Sequence, residues 1–266
     1  MLSIIFGACT QPSPSPANQN QARPESAKPA KVAATIGVYR PSATTFYLRN
    51  SITPGAPDIV IPFGPKQSLP VVGDWDGNGT TTIGVYTPGE GRFYLHNSNS
   101  TGIAEVIVDF GPKGAVPVVG DWDGNGTTTI GVYVPGQSVF YLRNSNSTGA
   151  PDITAVYGTK DDIPLAGDWD GNGSWTIGVY RPSESTFYLR NENSTGAPDI
   201  TAVYGTKGDV PLAGDWDGDG TMTIGVFRPG DATFYPRNSN SSGAGDYIAA
   251  FGAASDIPIA GKWGRE

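Results

Sequence analysis

GDWDGNGTTTIGVY, residues 73–86, places two aspartates and an asparagine among turn glycines and runs directly into a β-branched apolar segment. It returns unchanged at 120–133, as GDWDGNGSWTIGVY at 167–180 and as GDWDGDGTMTIGVF at 214–227, at an interval of 47 residues. A fixed period of this length means that each copy is one supersecondary unit, too small to bury its apolar face alone. The acidic part has two physical readings. Its side chains could ligate a cation, or they could accept backbone N–H groups and turn one strand into the next.

Working outward, three further phrases keep the same period. LPVVGDW at 69–75 is matched at 116–122, 163–169 and 210–216, and by IPIAGKW at 257–263. TIGVY at 35–39 recurs at 82–86, 129–133 and 176–180, and as TIGVF at 223–227; FYLRN at 46–50 has counterparts at 93–97, 140–144, 187–191 and 234–238. An aromatic-glycine pair closes each copy at Phe63-Gly64, Phe110-Gly111, Tyr157-Gly158, Tyr204-Gly205 and Phe251-Gly252. Glycine, proline and asparagine clusters separate the phrases, as antiparallel meanders require. Four strands in about 47 residues make one propeller blade. The prediction is an all-β, five-bladed β-propeller of four-stranded blades over residues 33–266. Its phase is offset: the ring starts on the second phrase and ends on the first. IPIAGKW should therefore pair with the N-terminal blade and close the ring.

Composition agrees. The 266 residues are 38% hydrophobic with 37 glycines and 23 prolines, and no window carries a sustained helical apolar period. The net charge of −8 with scattered basic residues argues against a nucleic-acid partner. No apolar run approaches the roughly 20 residues of a membrane-spanning helix. The single cysteine, Cys9, ends Phe6-Gly7-Ala8-Cys9, which resembles a bacterial lipobox, although Phe6 replaces the usual leucine. Residues 1–9 then read as a partial signal segment with lipidation at Cys9, and the Pro/Ser/Gln-rich residues 10–32 as a disordered tether. This implies an extracytoplasmic, envelope-bound or secreted protein that touches membrane only through its anchor, and a monomer is expected.

Trp75, Trp122, Trp169, Trp216 and Trp263 occupy one slot per blade and read as indoles packed between blades near the inner strands; sugar-stacking platforms are the functional alternative. Phe46 and its counterparts read as core, with the adjoining tyrosine and arginine on the other side by strand alternation. His96 stands where other blades carry arginine and reads as a lone surface histidine, neither metal ligand nor base. The Asn99, Asn146 and Asn193 sequons recur because a turn recurs.

GDWDGNG…TIGVY resembles the FG-GAP/VCBS repeats of integrin-like propellers and bacterial surface proteins, and tandem GDWDGDG…IGVYRP repeats of bacterial proteins are the nearer likeness. The likeness covers 33–264 in period and order, but its specific part is the DxDG[ND]G core, and integrin-like members have seven blades. It implies a calcium ion in each loop. The ligand sets would be Asp74, Asp76, Asn78 and the Thr80 carbonyl; Asp121, Asp123, Asn125 and Thr127; Asp168, Asp170, Asn172 and Ser174; and Asp215, Asp217, Asp219 and Thr221. The fourth should bind tightest, because its third ligand is charged. At the ninth position, where the family has a carboxylate, this chain has Thr82, Thr129, Thr176 and Thr223. The fifth loop carries Lys262 and Gly264 in place of aspartates and should hold nothing.

Catalysis needs an asymmetric constellation, yet nearly every polar residue here has counterparts 47 positions away. The expectation is a non-enzymatic, adhesion-type binding propeller, calcium-stabilised, whose ligand is a protein or a glycan. The alternatives are a multivalent lectin resembling five-bladed tachylectin-type propellers, with one pocket per blade, and a glycoside-hydrolase-like propeller.

Overall fold

The computed structural model describes residues 32–264; Cys9 and all but the last residue of the expected tether lie outside them. Twenty strands form five sheets of four. The first blade contains β1 (Thr35–Arg40), β2 (Thr45–Leu48) and β3 (Ile59–Pro62). The second runs β4 (Leu69–Gly73), β5 (Thr82–Thr87), β6 (Arg92–Leu95) and β7 (Val106–Asp109). The third is β8 (Val116–Gly120), β9 (Thr129–Val134), β10 (Val139–Leu142) and β11 (Ile153–Val156). The fourth is β12 (Ile163–Gly167), β13 (Thr176–Arg181), β14 (Thr186–Leu189) and β15 (Ile200–Val203). The fifth is β16 (Val210–Gly214), β17 (Thr223–Arg228), β18 (Thr233–Pro236) and the short β19 (Ala249–Ala250). The last strand, β20 (Ile257–Gly261), pairs antiparallel with β1, from Thr35 opposite Gly261 to Tyr39 opposite Ile257. The C-terminal segment thus completes the N-terminal blade. Inner strands β20, β4, β8, β12 and β16 neighbour one another in that order, and β16 returns to β20.

The second strand of each blade is apolar on both faces because it has a sheet neighbour on each side and a blade above and below. Ile36, Val38 and Tyr39 are fully buried, as are Ile83, Val85 and Tyr86 one period later. Each core cluster spans two blades: Tyr39, Phe46, Phe63 and Trp263 of the first pack with Ile83 and Val85 of the second. The invariant mid-strand glycine of TIGVY makes room for this. A Cβ on Gly37 would sit 2.9 Å from Leu48 and 3.2 Å from the Trp263 indole. The indoles are buried, and Trp263 Nε1 donates to the Ile36 carbonyl at 3.3 Å, as Trp75 does to Ile83 at 3.2 Å. They serve the core. In every blade the Tyr or Phe of the second strand also meets the Phe of the third, as in Tyr39 and Phe46 with centroids 4.7 Å apart.

His96 departs from expectation, since it is only 4% exposed. Its Nδ1 lies 2.7 Å from Glu105 Oε2, and its ring stacks on Phe63 of the first blade at 5.4 Å. The cause is the loop after the third strand, whose inward carbonyls need donors. In the other blades Arg49, Arg143, Arg190 and Arg237 fold back into that loop; Arg143 Nε donates to Ser147 O at 2.6 Å, and Arg237 Nε to Ser241 O at 2.7 Å. His96 does this task with Glu105 standing for Asp152.

Candidate functional site

The repeated acidic loops follow the inner strands, as the sequence indicated, but they do not share one geometry. In the loop after β4, Asp74 Oδ1 accepts the Asn78 N–H at 2.9 Å and Oδ2 accepts that of Gly79 at 2.6 Å. Asp76 Oδ1 takes the Asn78 N–H at 3.3 Å, and Asn78 Oδ1 takes the Thr80 N–H at 2.8 Å. Asp121, Asp123, Asn125 and Thr127 repeat the pattern, as do Asp168, Asp170, Asn172 and Ser174. Gly77 and Gly79 have φ of 74° and 88°, which L side chains resist, so the loop needs glycine at both positions. Burial raises the pKa of Asp74, Asp121 and Asp168, and the loop N–H groups oppose that rise. Each loop also clasps the next blade: the Asp74 carbonyl accepts the Thr128 N–H at 2.7 Å, and Asp121 and Asp168 do the same for Trp175 and Met222.

The fourth loop differs. One carboxylate oxygen from each of Asp215, Asp217 and Asp219 lies within 4.8 Å of the others. Asp215 Oδ1 is buried without a hydrogen-bond partner, and Oδ2 receives Lys262 Nζ at 3.0 Å. Asp219 and Thr221 keep the local turn bonds, with Thr221 N–H on Asp219 Oδ1 at 2.6 Å. Three converging carboxylates and an orphaned oxygen fit a hard dication that takes oxygen ligands. The first three loops fit one less well, since both oxygens of the leading aspartate already bind backbone N–H groups. The ninth-position threonines are committed too: Thr82 and Thr129 each donate to the final carbonyl of the inner strand at 3.2 Å, and Thr176 and Thr223 do so at 3.3 Å. The sequence gives Lys262 a place only in the fifth loop. Because β20 lies beside β16, its ammonium instead reaches the fourth. Asp74, Asp121, Asp168, Asp215 and Lys262 together ring a cavity of about 300 Å³ at the ends of the inner strands.

At the opposite ends of the second strands lies a feature that the sequence reading missed. Arg181 Nε and Nη2 bind Asp162 Oδ1 and Oδ2 at 2.9 and 3.0 Å, while its guanidinium carbon lies 4.7 Å from the Tyr188 ring centroid. Arg228, Asp209 and Tyr235 repeat this, as do Arg40, Asp256 and Tyr47. The three aspartates are buried and also accept the N–H of Thr159, Thr206 and Ala253. The second and third blades keep the tyrosine as Tyr94 and Tyr141 but lose both charges, with Thr87 and Ser68, and Val134 and Ala115, in those slots. The signal was available, because arginine and aspartate appear or vanish together across the five copies.

Beside these clusters, grooves run between blades. One of about 330 Å³ lies between the third and fourth blades and includes Tyr157, Gly158, Arg181, Tyr188 and Pro198. One of about 520 Å³ lies one period earlier and includes Phe110, Gly111, Tyr141 and Pro151, with Glu90, Asp109 and Gln137 at its rim. The sequon asparagines are structural. Asn99 Nδ2 donates to the carbonyls of Thr81 and Trp263 at 2.8 and 2.9 Å, and Asn146 and Asn193 donate to Thr128 and Trp175. Comparison of the chain with protein-family models, with curated proteins and with solved structures gave no match.

Proposed function

We propose that this chain is a non-catalytic binding propeller that presents its inter-blade grooves to an external protein or glycan. The observation that carries this reading is the groove found at the same place at two consecutive junctions, between the second and third and between the third and fourth blades, each with an aromatic wall and at least one charged side chain. Such concave, partly apolar surfaces with a few polar groups are where ligands dock on a rigid scaffold. The buried aspartates that flank the blades are held in structural bonds: Asp162, Asp209 and Asp256 by arginine and backbone N–H groups, and Asp74, Asp121 and Asp168 by their own loops. A glycan and peptide array probed with the full chain, with and without calcium, tests the reading. A reproducible hit supports it, and turnover of any arrayed ligand would sink it. The extracytoplasmic setting rests on the Cys9 motif; it requires that Cys9→Ser, expressed behind a functional signal, leave the membrane fraction.

Calcium belongs to the proposal at the fourth loop. Asp215, Asp217 and Asp219, with the Thr221 carbonyl, would hold it, and the Lys262 ammonium, which lies 3.0 Å from Asp215 Oδ2, would turn away as the ion takes over its role of neutralising the carboxylates. With no further carboxylate at the ninth position, saturation is expected at about 10⁻⁴–10⁻³ M, in the range of extracellular modules. At a concentration about 100 times Kd the ion would add roughly 2.7 kcal/mol to stability. Calorimetry should find one site, lost in Asp217→Asn and kept in Asp76→Asn. Four equal sites would show that the backbone bonds of the first three loops do not compete with the ion.

A further inference from the structure

Five copies of one blade carry a built-in comparison of what their tyrosines bind. In three of them the Tyr ring is covered by an internal guanidinium at 4.6–4.7 Å, held flat by a bidentate aspartate. In the third blade Tyr141 persists, while Val134 and Ala115 replace the arginine and the aspartate together. The groove beside Tyr141 measures about 520 Å³, against about 330 Å³ where Arg181 covers Tyr188. Its rim offers acceptors: Glu90, Asp109 and Gln137 Oε1, which takes the Tyr141 hydroxyl at 3.4 Å. Arg92 lies across Asp109 at 2.5 Å and 3.8 Å from Glu90, so at this edge of the groove two carboxylates share one cation.

We propose that the groove between the second and third blades receives an arginine side chain from a basic protein segment, in the place an internal arginine takes in three other blades. The inference rests on the binding reading above and narrows its ligand. Arginine is favoured over lysine because a planar guanidinium stacks on a ring while its edge donates to carboxylates. Net charge complements it: the chain carries −8, which steers a basic partner toward the acceptor-rich rim.

The test is calorimetric titration of the full chain with an acetyl-Gly-Arg-Gly-Arg-Gly-amide peptide, its Gln-for-Arg counterpart and a panel of neutral methyl pyranosides. The arginine peptide should bind and the glutamine peptide should not. Ala115→Asp/Val134→Arg rebuilds the internal pair and should weaken peptide binding about tenfold or more, since the ring and groove are then filled from within. Tyr141→Leu should weaken it similarly and Tyr188→Leu should leave it unchanged, which keeps the test sound if the double variant fails to fold. Equal binding by parent and double variant, or equal effects at Tyr141 and Tyr188, overturns the assignment. Tyr141-dependent binding of a pyranoside without binding of the arginine peptide overturns it too, while leaving the binding propeller intact. Failure of every probe at millimolar concentration overturns the assignment, and an empty array as well would remove the broader reading with it.

Discussion

At Asp74, Asp121 and Asp168 two forces meet in one carboxyl group. Burial favours the neutral form and raises the pKa, while three loop N–H groups favour the anion and do not fully offset it. Between the ordinary aspartate value, about 3.9, and the raised one, the folded chain therefore binds more protons than the unfolded chain. Stability from these groups is fully present below that window and is lost as pH rises through it. Asp109 acts in a separate window, because the Arg92 guanidinium holds it below the usual carboxylate range. Its contribution is present above the ordinary value and is lost as pH falls through its depressed one. Melting at low salt should thus rise slightly as pH drops through the raised values of these three groups toward the ordinary one, and fall at more acid pH. The triple change Asp74→Asn/Asp121→Asn/Asp168→Asn should flatten the first limb. A parent melting temperature that falls as steeply through that window as the triple variant's would contradict the assignment.

The blade is the unit in which charges are traded. Arg228 and Asp209 form a bidentate pair with the aspartate side chain 1% exposed and the arginine 34% exposed. Removing the carboxylate leaves an arginine that can turn to water and a Thr206 N–H that loses its acceptor. Asp209→Ala should therefore cost about 1–3 kcal/mol by urea unfolding, less than the 3–5 of a fully buried pair. A loss below about 0.5 kcal/mol would make the pair an ordinary surface bridge. Elements of this kind divide what a sequence reveals. The strands, their order and their turns were legible because each phrase has its own periodicity and its own glycines. The Arg–Asp pairs were legible only as correlated changes between copies, which reading one copy at a time overlooks. The Lys262–Asp215 contact was not legible in that way, since it depends on which inner strand lies beside which around the axis. The burial of His96 was hidden by its chemistry: an imidazole replaces a guanidinium only when the carbonyls around it are known.

Across the whole molecule, one non-covalent seam joins the two ends. Ile259 and Trp263 are buried against the first blade, and each large apolar side chain lost would cost roughly 1.5–3 kcal/mol. With the backbone ladder from Thr35 to Tyr39 also left open, truncation before Ile257 should remove most of a stability that is about 5–15 kcal/mol in ordinary domains. A truncated chain that melts with the parent would show that the seam carries nothing. The seam also sets a schedule for synthesis. Thr35 and its partner Gly261 are 226 positions apart, so at about 5–20 residues per second the β1 edge waits roughly 10–45 s for its partner to leave the ribosome. Throughout that interval the nascent chain presents an apolar strand with unpaired N–H and C=O groups to every neighbouring chain. The first blade to be translated is thus the last to be finished. A circular permutant opened between β3 and β4 would make each sheet from contiguous sequence and shorten that exposure to the synthesis of a single blade.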